Sequence, residues 1–139
     1  MVVIRQAVVA EIDCLIWIRA AVRENRLRDP ASVTREDYGW FVGNGLVWVA
    51  EVEGQVVGFS AADPRDGTIW ALFLDPASEG AGLGAQLLAR ACADLRAAGH
   101  AMARLGTDED SKAARLYRRL GWQALGLSAD GEMEFELAL

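Results

Sequence analysis

The chain has 139 residues, of which 53% are hydrophobic and 24% charged, a composition typical of a single folded domain and not of a disordered chain. Fourteen Lys and Arg residues against twenty Asp and Glu residues give a net charge of −6, which argues against a general nucleic-acid or anionic-membrane binder, because both need a basic surface. Lys112 is the only lysine, so arginines must supply nearly all side-chain contacts to any polyanionic ligand.

The first half of the chain predicts a strand, two helices and an antiparallel meander. The β-branched run from Val2 to Arg5 indicates a strand, and apolar residues at helical spacing begin at Val9. Thr34 opens a Thr-x-x-Asp N-cap signal, which predicts a helix through Val42. Three strands are expected next, over Leu46–Val52, Gln55–Ala61 and Thr68–Leu74. The third strand is almost wholly apolar, as expected of a strand that is covered on both faces.

The second half predicts a βαβ unit, in which a glycine-rich loop joins a buried strand to a long helix. The predicted elements are a helix over Leu83–Ala98, a strand over Ala101–Leu105, a helix over Lys112–Leu120, and strands over Trp122–Leu127 and Glu132–Leu137. The order is therefore β-α-α-β-β-β-α-β-α-β-β, which is that of a mixed α/β domain.

Neither a membrane span nor a secretory signal is expected from the sequence. The longest stretch without a charge, Tyr38–Ala50, is interrupted by glycines and falls short of the roughly 18–20 apolar residues that a span requires. Only Met1–Ile4 precede the first arginine, which is too little for a signal peptide. The cysteines, Cys14 and Cys92, fall in helix-like segments and are expected to be reduced thiols of a cytoplasmic protein.

The most informative segment is a loop in which Gly80, Gly82 and Gly84 alternate just before a long helix. Glycine lets main-chain N–H groups approach a ligand closely, and a helix N-terminus adds unpaired donors and partial positive charge. We therefore expect a phosphate site that does not need a basic protein. A P-loop is excluded because no Gly-Lys-Ser/Thr sequence follows. A glycine-rich turn without a ligand is one alternative, and a dinucleotide loop is another, although too few residues follow for the remaining strands of that fold.

Tyr117 lies in the later helix, on one face with Leu116 and Leu120. Taken alone, this pattern is typical of an amphipathic tyrosine that packs in the core. The alternative is a phenol near a reactive centre, which can donate a proton at neutral pH because its unperturbed pKa is about 10.

Together, the loop and the later helix resemble the GNAT superfamily of N-acetyltransferases, which use acetyl-CoA. The acyl-CoA loop of that family has Arg or Gln, two residues, Gly, one residue, and Gly or Ala, and the corresponding segment here is Glu79–Gly84. The Leu-Tyr-x-x-Leu-Gly-Trp sequence of Leu116–Trp122 is similar to a second landmark of the family. The resemblance covers essentially the full chain. It implies one GNAT domain over residues 1–139, with a GNAT-like mixed sheet and a central βαβ unit for acyl-CoA.

The resemblance also implies a mechanism in which an amine attacks the acetyl-CoA thioester directly. The CoA pyrophosphate would lie on the N–H groups of Gly80–Ala85, and the pantetheine arm would pair with the strand that ends at Leu74, which a bulge splays from the next strand. A main-chain N–H near Leu72 would polarise the thioester carbonyl, and Tyr117 would protonate the departing thiolate. The cofactor-binding residues implied are Leu72, Phe73, Leu74, Glu79, Gly80, Ala81, Gly82, Leu83, Gly84, Ala85, Ser111, Ala114 and Tyr117, with no metal.

Two positions depart from the family pattern. Glu79 stands where Arg or Gln is usual, and a carboxylate is unfavourable beside a pyrophosphate. We therefore expect weaker CoA binding or compensation by an arginine, for which the candidates are Arg115, Arg118 and Arg119. Ser111 stands where the family often has an Asn that contacts pantetheine, and its side chain has a shorter reach.

The acceptor site is expected between the first helices and the loops near the final strands, with Glu24, Asn25 and Trp70 as candidate substrate residues. A carboxylate such as Glu24 would hold a cationic amine, whereas a neighbouring arginine would hold an acidic acceptor. The acidic residues within Asp108–Asp110 and Asp130–Glu136 would favour a cationic acceptor if they border the cleft.

No general base stands out in the sequence. The candidate carboxylates are Glu24, Glu51, Asp63 and Asp75. The only histidine, His100, is expected to be structural, because it connects a helix to a strand at the end of the sheet away from the glycine loop.

The predicted function is acetyl-CoA-dependent transfer of an acetyl group to a primary amine of a small molecule, with Tyr117 as general acid. A protein or peptide N-acetyltransferase is one alternative. A non-catalytic acyl-CoA-binding sensor is another, which Glu79 and the lack of a visible base favour. No nucleic-acid or membrane partner is expected, and long strands at a sheet edge are compatible with a homodimer.

Overall fold

The predicted order of elements is confirmed by the structure, a computed structural model that describes residues 1–22 and 33–139. The strands are β1 (Val2–Gln6), β2 (Val47–Val52), β3 (Gln55–Asp63), β4 (Thr68–Leu74), β5 (Met102–Thr107), β6 (Gln123–Leu127) and β7 (Met133–Ala138). The helices are α1 (Ile12–Ala21), α2 (Arg35–Gly43), α3 (Leu83–Ala97) and α4 (Lys112–Arg119). Short 3-10 turns, Val9–Glu11 and Pro76–Ser78, precede α1 and follow β4.

The predicted N-cap of α2 is confirmed. The Thr34 hydroxyl accepts the Asp37 N–H at 3.2 Å, and the Asp37 carboxylate accepts the Thr34 N–H at 2.8 Å. These reciprocal bonds satisfy two backbone donors at the start of the helix, which is why it begins at Arg35.

The strands of the described residues form one seven-stranded sheet in the order β1-β2-β3-β4-β5-β7-β6. The neighbours β4 and β5 are parallel, and they pair at a single position, Thr68 with Arg104. The β3 register passes from Ala61 opposite Ala71 to Ala62 opposite Ile69, so Trp70 is an extra residue in β4. Such a bulge bends and twists its strand. As the resemblance implies, β4 carries a bulge and diverges from β5 towards its carboxyl end.

Two predicted strand boundaries are wrong. The predicted end of β3 at Ala61 is two residues short, because Ala62 and Asp63 continue the pairing with β4. Similarly, β5 was expected to end at Leu105 but continues to Thr107, which pairs with Met133 of β7. In both cases a partner strand elsewhere in the sequence extends the ladder beyond the locally apolar run.

The prediction that β4 is covered on both faces is confirmed, since Ala71 and Phe73 pack in the core with α1 and α2, while Leu72 and Leu74 pack against the clusters beneath α3. Ala71 and Phe73 are buried, but Ile69, Trp70 and Leu72 are only partly buried. Because β5 turns away from β4, one edge of the strand and the side chains beside it border an opening instead of another strand.

Helices cover both faces of the sheet. On one face, α1 and α2 pack on β2–β4 through a core that includes Leu15, Phe41 and Phe59. On the other face, the core beneath α3 and α4 includes Leu95 and Phe135, with a separate cluster around Leu83 and Leu87. These two layers hold the ends of α3 and α4 at the point where β4 and β5 diverge.

Candidate active site

A cleft lies where β4 and β5 diverge, and it has two parts. The first part, the cradle cavity, has a volume of about 560 Å³ and is lined by Val22, Leu72, Phe73, Leu74, Glu79, Gly80, Gly82, Leu83, Gly84, Ala85, Lys112, Ala113, Leu116 and Arg119. The second part, the central cavity, has a volume of about 420 Å³ and is lined by Arg19, Ile69, Trp70, Ala71, Leu72, Phe73, Leu105, Gly106, Thr107, Asp108, Tyr117, Asp130 and Glu132. The two parts meet at Leu72 and Phe73, which line both.

The glycine loop lines the cradle cavity, and its backbone adopts a conformation that favours glycine at two positions. Gly80 has a φ of 88° and Gly82 has a φ of 78°, a region that side chains with a Cβ rarely adopt. A Cβ at either position would meet no atom within 4 Å, so both glycines leave space at the backbone. At Gly84 the requirement for glycine is steric, because a Cβ at this position would lie 3.2 Å from the Leu116 side chain of α4.

The start of α3 supplies hydrogen-bond donors to this space. Gly82 is the N-cap of α3, and the first helical bond runs from the Gln86 N–H to the Gly82 carbonyl at 3.2 Å. The N–H groups of Leu83, Gly84 and Ala85 therefore precede the helical ladder and are available to an anion. A site built from main-chain donors and open glycine positions fits a pyrophosphate without any basic side chain.

An ion pair crosses the cradle cavity. The Lys112 ammonium lies 3.0 Å from the Glu79 carboxylate, so the charge that departs from the family pattern is compensated. Lys112 therefore pairs with Glu79, and the compensating arginine expected at the phosphates stays a prediction. Of the three candidate arginines, Arg119 lines the cavity, whereas Arg115 donates to the Asp110 carbonyl at 3.1 Å and Arg118 lies over the Phe135 ring.

The exposed edge of β4 carries unpaired strand groups into the cleft. The Asp75 N–H donates to the Val57 carbonyl at 2.8 Å, across the pairing with β3. N–H groups of successive strand residues point to opposite sides, so those of Leu72 and Leu74 point away from β3. The Leu72 N–H therefore lies on the open edge of β4 where the two cavities meet, the place at which the resemblance implies an oxyanion donor.

Tyr117 lies on the buried face of α4 and reaches the central cavity. Its side chain is 4% exposed, and its ring packs at 5.6 Å from Trp122 and 5.7 Å from Phe135. Burial raises the pKa of the phenol well above its ordinary value, with Cys92 a smaller contributor. The hydroxyl therefore stays protonated at physiological pH.

Three predicted cofactor residues do not line either cavity: Ala81, Ser111 and Ala114. The Ser111 hydroxyl accepts the Ala114 N–H at 3.0 Å and donates to the Asp108 carbonyl at 2.9 Å. Ser111 and Ala114 are both buried. In the structure, Ser111 is thus the N-cap of α4 and positions the helix that carries Tyr117. A direct contact with the cofactor stays a prediction for all three residues.

The structure places one of the three candidate substrate residues in the site. Trp70 lines the central cavity, whereas Glu24 and Asn25 lie outside the described residues.

Three of the candidate bases lie away from both cavities. Glu51 pairs with Arg5 at 2.9 Å, Asp63 pairs with Arg65 at 2.9 Å, and Asp75 accepts the Ala77 N–H at 3.0 Å. Arg65 holds the pKa of Asp63 below its usual value. The fourth, Glu24, lies outside the described residues.

The structural role expected of His100 is confirmed. Its Nε2 lies 2.6 Å from the Pro64 carbonyl, and its ring lies 3.0 Å from where a Cβ of Gly67 would be. These contacts hold the β3–β4 turn, at the end of β4 opposite the glycine loop.

The central cavity contains charged residues that sequence reasoning did not place there. Asp108 follows β5, and Asp130 and Glu132 belong to the turn before β7. Their acidic runs are visible in the sequence, but only the pairing of β5 with β7 brings them to one wall. Arg19 of α1 lies on another wall, with its guanidinium carbon 4.7 Å from the Phe73 ring centre and 5.2 Å from that of Trp70. No spacing in the sequence signals its position.

Two further searches concern only the described residues. In ranges 1–22 and 33–139, no group of three or more His, Cys, Asp and Glu side chains is arranged to hold a metal ion. Among the same residues, none of the helices has the length and apolar character to cross a membrane.

Solved structures share this architecture across their whole length. A protein from Salmonella typhimurium, solved with its cofactor acetyl-CoA, has a TM-score of 0.80 and 22% identity, over 100% of this chain and 94% of that one. An N-acetyltransferase from Staphylococcus aureus Mu50 has a TM-score of 0.79 and 22% identity, over 99% and 98%. A ribosomal-protein-alanine N-acetyltransferase from Brucella melitensis has a TM-score of 0.79 and 24% identity, over 99% of both chains. At these identities the likeness establishes the fold.

The family is established by the sequence itself. A comparison with curated proteins gives no significant match. The sequence model of the acetyltransferase (GNAT) domain matches residues 43–124, a range that contains the glycine loop, the exposed edge of β4 and Tyr117. With the cleft and the fold in agreement, the chain belongs to the GNAT family of N-acetyltransferases.

Proposed function

We propose that the protein transfers an acetyl group from acetyl-CoA to a primary amine of a small molecule. The observation that carries the proposal is a single cleft with a main-chain phosphate cradle in one part and a buried, protonated phenol in the other. The parts meet at Leu72 and Phe73, so a cofactor anchored in the cradle can present its acyl end towards Tyr117.

The residues that would hold the cofactor belong to three elements. N–H groups from Gly80 to Ala85 would bind the pyrophosphate, and the edge of β4 at Leu72 and Leu74 would pair with the pantetheine arm. When bound, acetyl-CoA supplies an activated thioester carbonyl to the attacking amine.

Protein groups then account for the charges that develop during transfer. The Leu72 N–H would donate a hydrogen bond to the carbonyl oxygen as negative charge grows on it. The Tyr117 hydroxyl would give its proton to the departing thiolate sulfur, and the proton that the amine loses would pass to water or to a carboxylate of the central cavity. Burial keeps the phenol protonated at physiological pH, so the proton is present when the thiolate departs.

The central cavity favours a small acceptor. Its volume of about 420 Å³ falls in the range of roughly 300–1,000 Å³ common to small-molecule sites. The carboxylates of Asp108, Asp130 and Glu132 line it, which supports binding of an amine in its ammonium form. The Glu79–Lys112 ion pair removes the main argument for a sensor without turnover, since Glu79 no longer opposes the cofactor phosphates alone.

The direct test is thiol release from acetyl-CoA with a panel of small primary amines, amino acids, and peptides with free N-termini. The proposal expects release with at least one small amine or amino acid, faster than with any peptide. Release with peptides alone would show the protein N-acetyltransferase, and no release with any acceptor would leave a binding protein.

Cofactor binding has an independent signature in thermal stability. We expect CoA at 100 times its Kd to stabilise the folded state by about 2.7 kcal/mol, because it binds the folded chain and not the unfolded one. Differential scanning fluorimetry with CoA, and with pantetheine as a control that lacks the pyrophosphate, measures the effect. Equal shifts with the two compounds would contradict a phosphate cradle at Gly80–Ala85.

The Glu79–Lys112 ion pair in the cradle cavity leads to opposite predictions for CoA affinity in two variants. Replacing Glu79 with glutamine removes repulsion of the phosphates, so we expect CoA to bind about two- to fivefold more tightly, whereas Lys112→Ala should weaken binding by a similar factor. The contributions are small because both side chains are substantially exposed. Calorimetric Kd values measured at two salt concentrations test both variants, and a change of the same sign in the two would refute the assignment.

Two further parts of the proposal concern the cellular location and the oligomeric state of the enzyme. We place it in the cytoplasm, where Cys14 and Cys92 stay reduced, as both are free thiols in the structure. We also propose a homodimer, supported by the exposed Leu125 and Leu127 on the edge strand β6. Light scattering of the purified chain tests the second point.

A further inference from the structure

Arg19 is the only positively charged side chain among the described residues that line the central cavity. The side chain is half-buried beneath the rings of Trp70 and Phe73, and its Nε and Nη1 atoms are buried with no hydrogen-bond partner among the described residues. The Tyr38 hydroxyl lies within hydrogen-bonding reach of the guanidinium, which helps to hold it in place. Stacking on the two rings fixes the guanidinium at the cavity, and a guanidinium forms charge-assisted hydrogen bonds with a carboxylate. The cavity therefore offers a place for an anion beside α1.

The other charged residues of the cavity have the opposite sign. Asp108, Asp130 and Glu132 come from the loops before α4 and β7, and α1 is on a different part of the wall. A purely cationic ligand would leave the Arg19 donors unsatisfied, whereas a purely anionic ligand would be repelled by three carboxylates. A ligand that carries one cationic and one anionic group would pair with both the carboxylates and Arg19.

Position along β4 limits the distance between the two groups. Arg19 lies over Trp70 and Phe73, and Leu72, whose N–H faces the reacting carbonyl in the proposed function, lies between them in the strand. A group bound by Arg19 therefore lies close to the point of attack. This placement favours a small acceptor in which few bonds separate the amine that attacks from the anion that binds Arg19.

We infer that the acceptor is a free amino acid, or a close analogue, whose carboxylate is bound by Arg19 while its amine faces Asp108, Asp130 and Glu132. The inference rests on the proposed function and makes it narrower. Arg19 is a specificity-determining residue in this view: it binds the part of the acceptor that does not react.

The test compares each amino acid with its own carboxamide, which keeps the amine and the side chain but has no negative charge. With the wild-type enzyme, we expect kcat/KM for thiol release to be about 10- to 100-fold higher for the acid than for the amide, the usual worth of a charge-assisted pair. In Arg19→Gln, the value for the acid should fall to that for the amide, while the value for the amide and the KM for acetyl-CoA stay nearly unchanged. Arg19→Lys should restore part of the discrimination.

A matched control is Arg104→Gln. Arg104 is an exposed arginine that pairs with Glu136 at 3.6 Å and lines neither cavity, so its loss should leave all these values unchanged. The wild-type comparison needs no variant and stands even if Arg19→Gln does not fold.

The outcomes separate this inference from the proposed function. Equal or faster turnover of carboxamides or simple amines by the wild-type enzyme would overturn the inference and leave an N-acetyltransferase. Undiminished discrimination in a folded Arg19→Gln would also overturn it. Thiol release with none of the acids, amides or amines would overturn both.

Discussion

Replacing Tyr117 with phenylalanine is expected to lower kcat by about 10²- to 10⁴-fold, the usual contribution of a positioned acid, with little change in the Kd for acetyl-CoA. The substitution removes only the hydroxyl, because the ring can keep its packing against Trp122 and Phe135. Cofactor affinity should persist, since Tyr117 lines the central cavity and not the cradle cavity. Single-turnover thiol release and calorimetry measure the two quantities separately.

Trp122→Phe is the matched control for this variant. It disturbs the packing of the same ring but keeps the phenol, so the folded state should lose stability with little loss of kcat. The pH dependence gives a second check. Burial raises the pKa of Tyr117, so its acidic form persists beyond the ordinary value of about 10, and the wild-type kcat should not fall from its ionisation below that pH. A turnover rate in Tyr117→Phe equal to that of the wild type would reduce Tyr117 to a packing residue.

Replacing Gly82 with alanine is expected to weaken CoA binding by at least about tenfold, or 1.4 kcal/mol, and to reduce the free energy of unfolding by about 1–2 kcal/mol. Gly82 has a φ of 78° and is the N-cap of α3, so a Cβ there strains the backbone that presents the phosphate donors. If the loop relaxes to a negative φ, the N–H groups at the start of α3 turn away from their common centre.

Gly54→Ala separates strain from function. Gly54 has a φ of 80°, and a Cβ at that position would also meet no atom within 4 Å, but it lies in the turn between β2 and β3. We expect a similar loss of unfolding free energy and no change in the Kd for CoA. Equal CoA affinities for Gly82→Ala and the wild type would show that the loop conformation does not support the cofactor.

A net charge of −6 is compatible with a polyanionic cofactor because the cradle depends on local donors. Main-chain N–H groups at the start of α3 carry a partial positive charge that does not depend on charged side chains, and the glycines leave these groups exposed. The only lysine lies at the cradle, paired with Glu79. Much of the acidic excess lies elsewhere, and three of its carboxylates line the central cavity, where the proposed function places the ammonium group of the acceptor. The overall charge therefore excludes nucleic acid more strongly than it excludes CoA.

Local patterns in the sequence predicted the elements and the cofactor half of the site. The Thr34 cap, the alternating glycines and the Leu116–Trp122 segment depend on contacts within a few residues, which is why they could be recognised without a structure. The predicted end of β3 failed because strand ends depend on a distant partner. The Glu79–Lys112 ion pair was not predicted for the same reason, since the two residues are 33 positions apart.

The sequence by itself determined the order of the elements and the family, and the family resemblance predicted the phosphate cradle and Tyr117 as the candidate acid. The order of the elements and the glycine loop depend on backbone conformation and periodicity, which short segments encode locally. Only the tertiary structure decided which charges line the central cavity. The bulge at Trp70 separates β4 from β5, the pairing of β5 with β7 brings in Asp130 and Glu132, and α1 places Arg19 over β4. The side chains that line the central cavity come from segments far apart in the sequence. Only the packing of the sheet and helices brings them together, so no local sequence pattern predicts it.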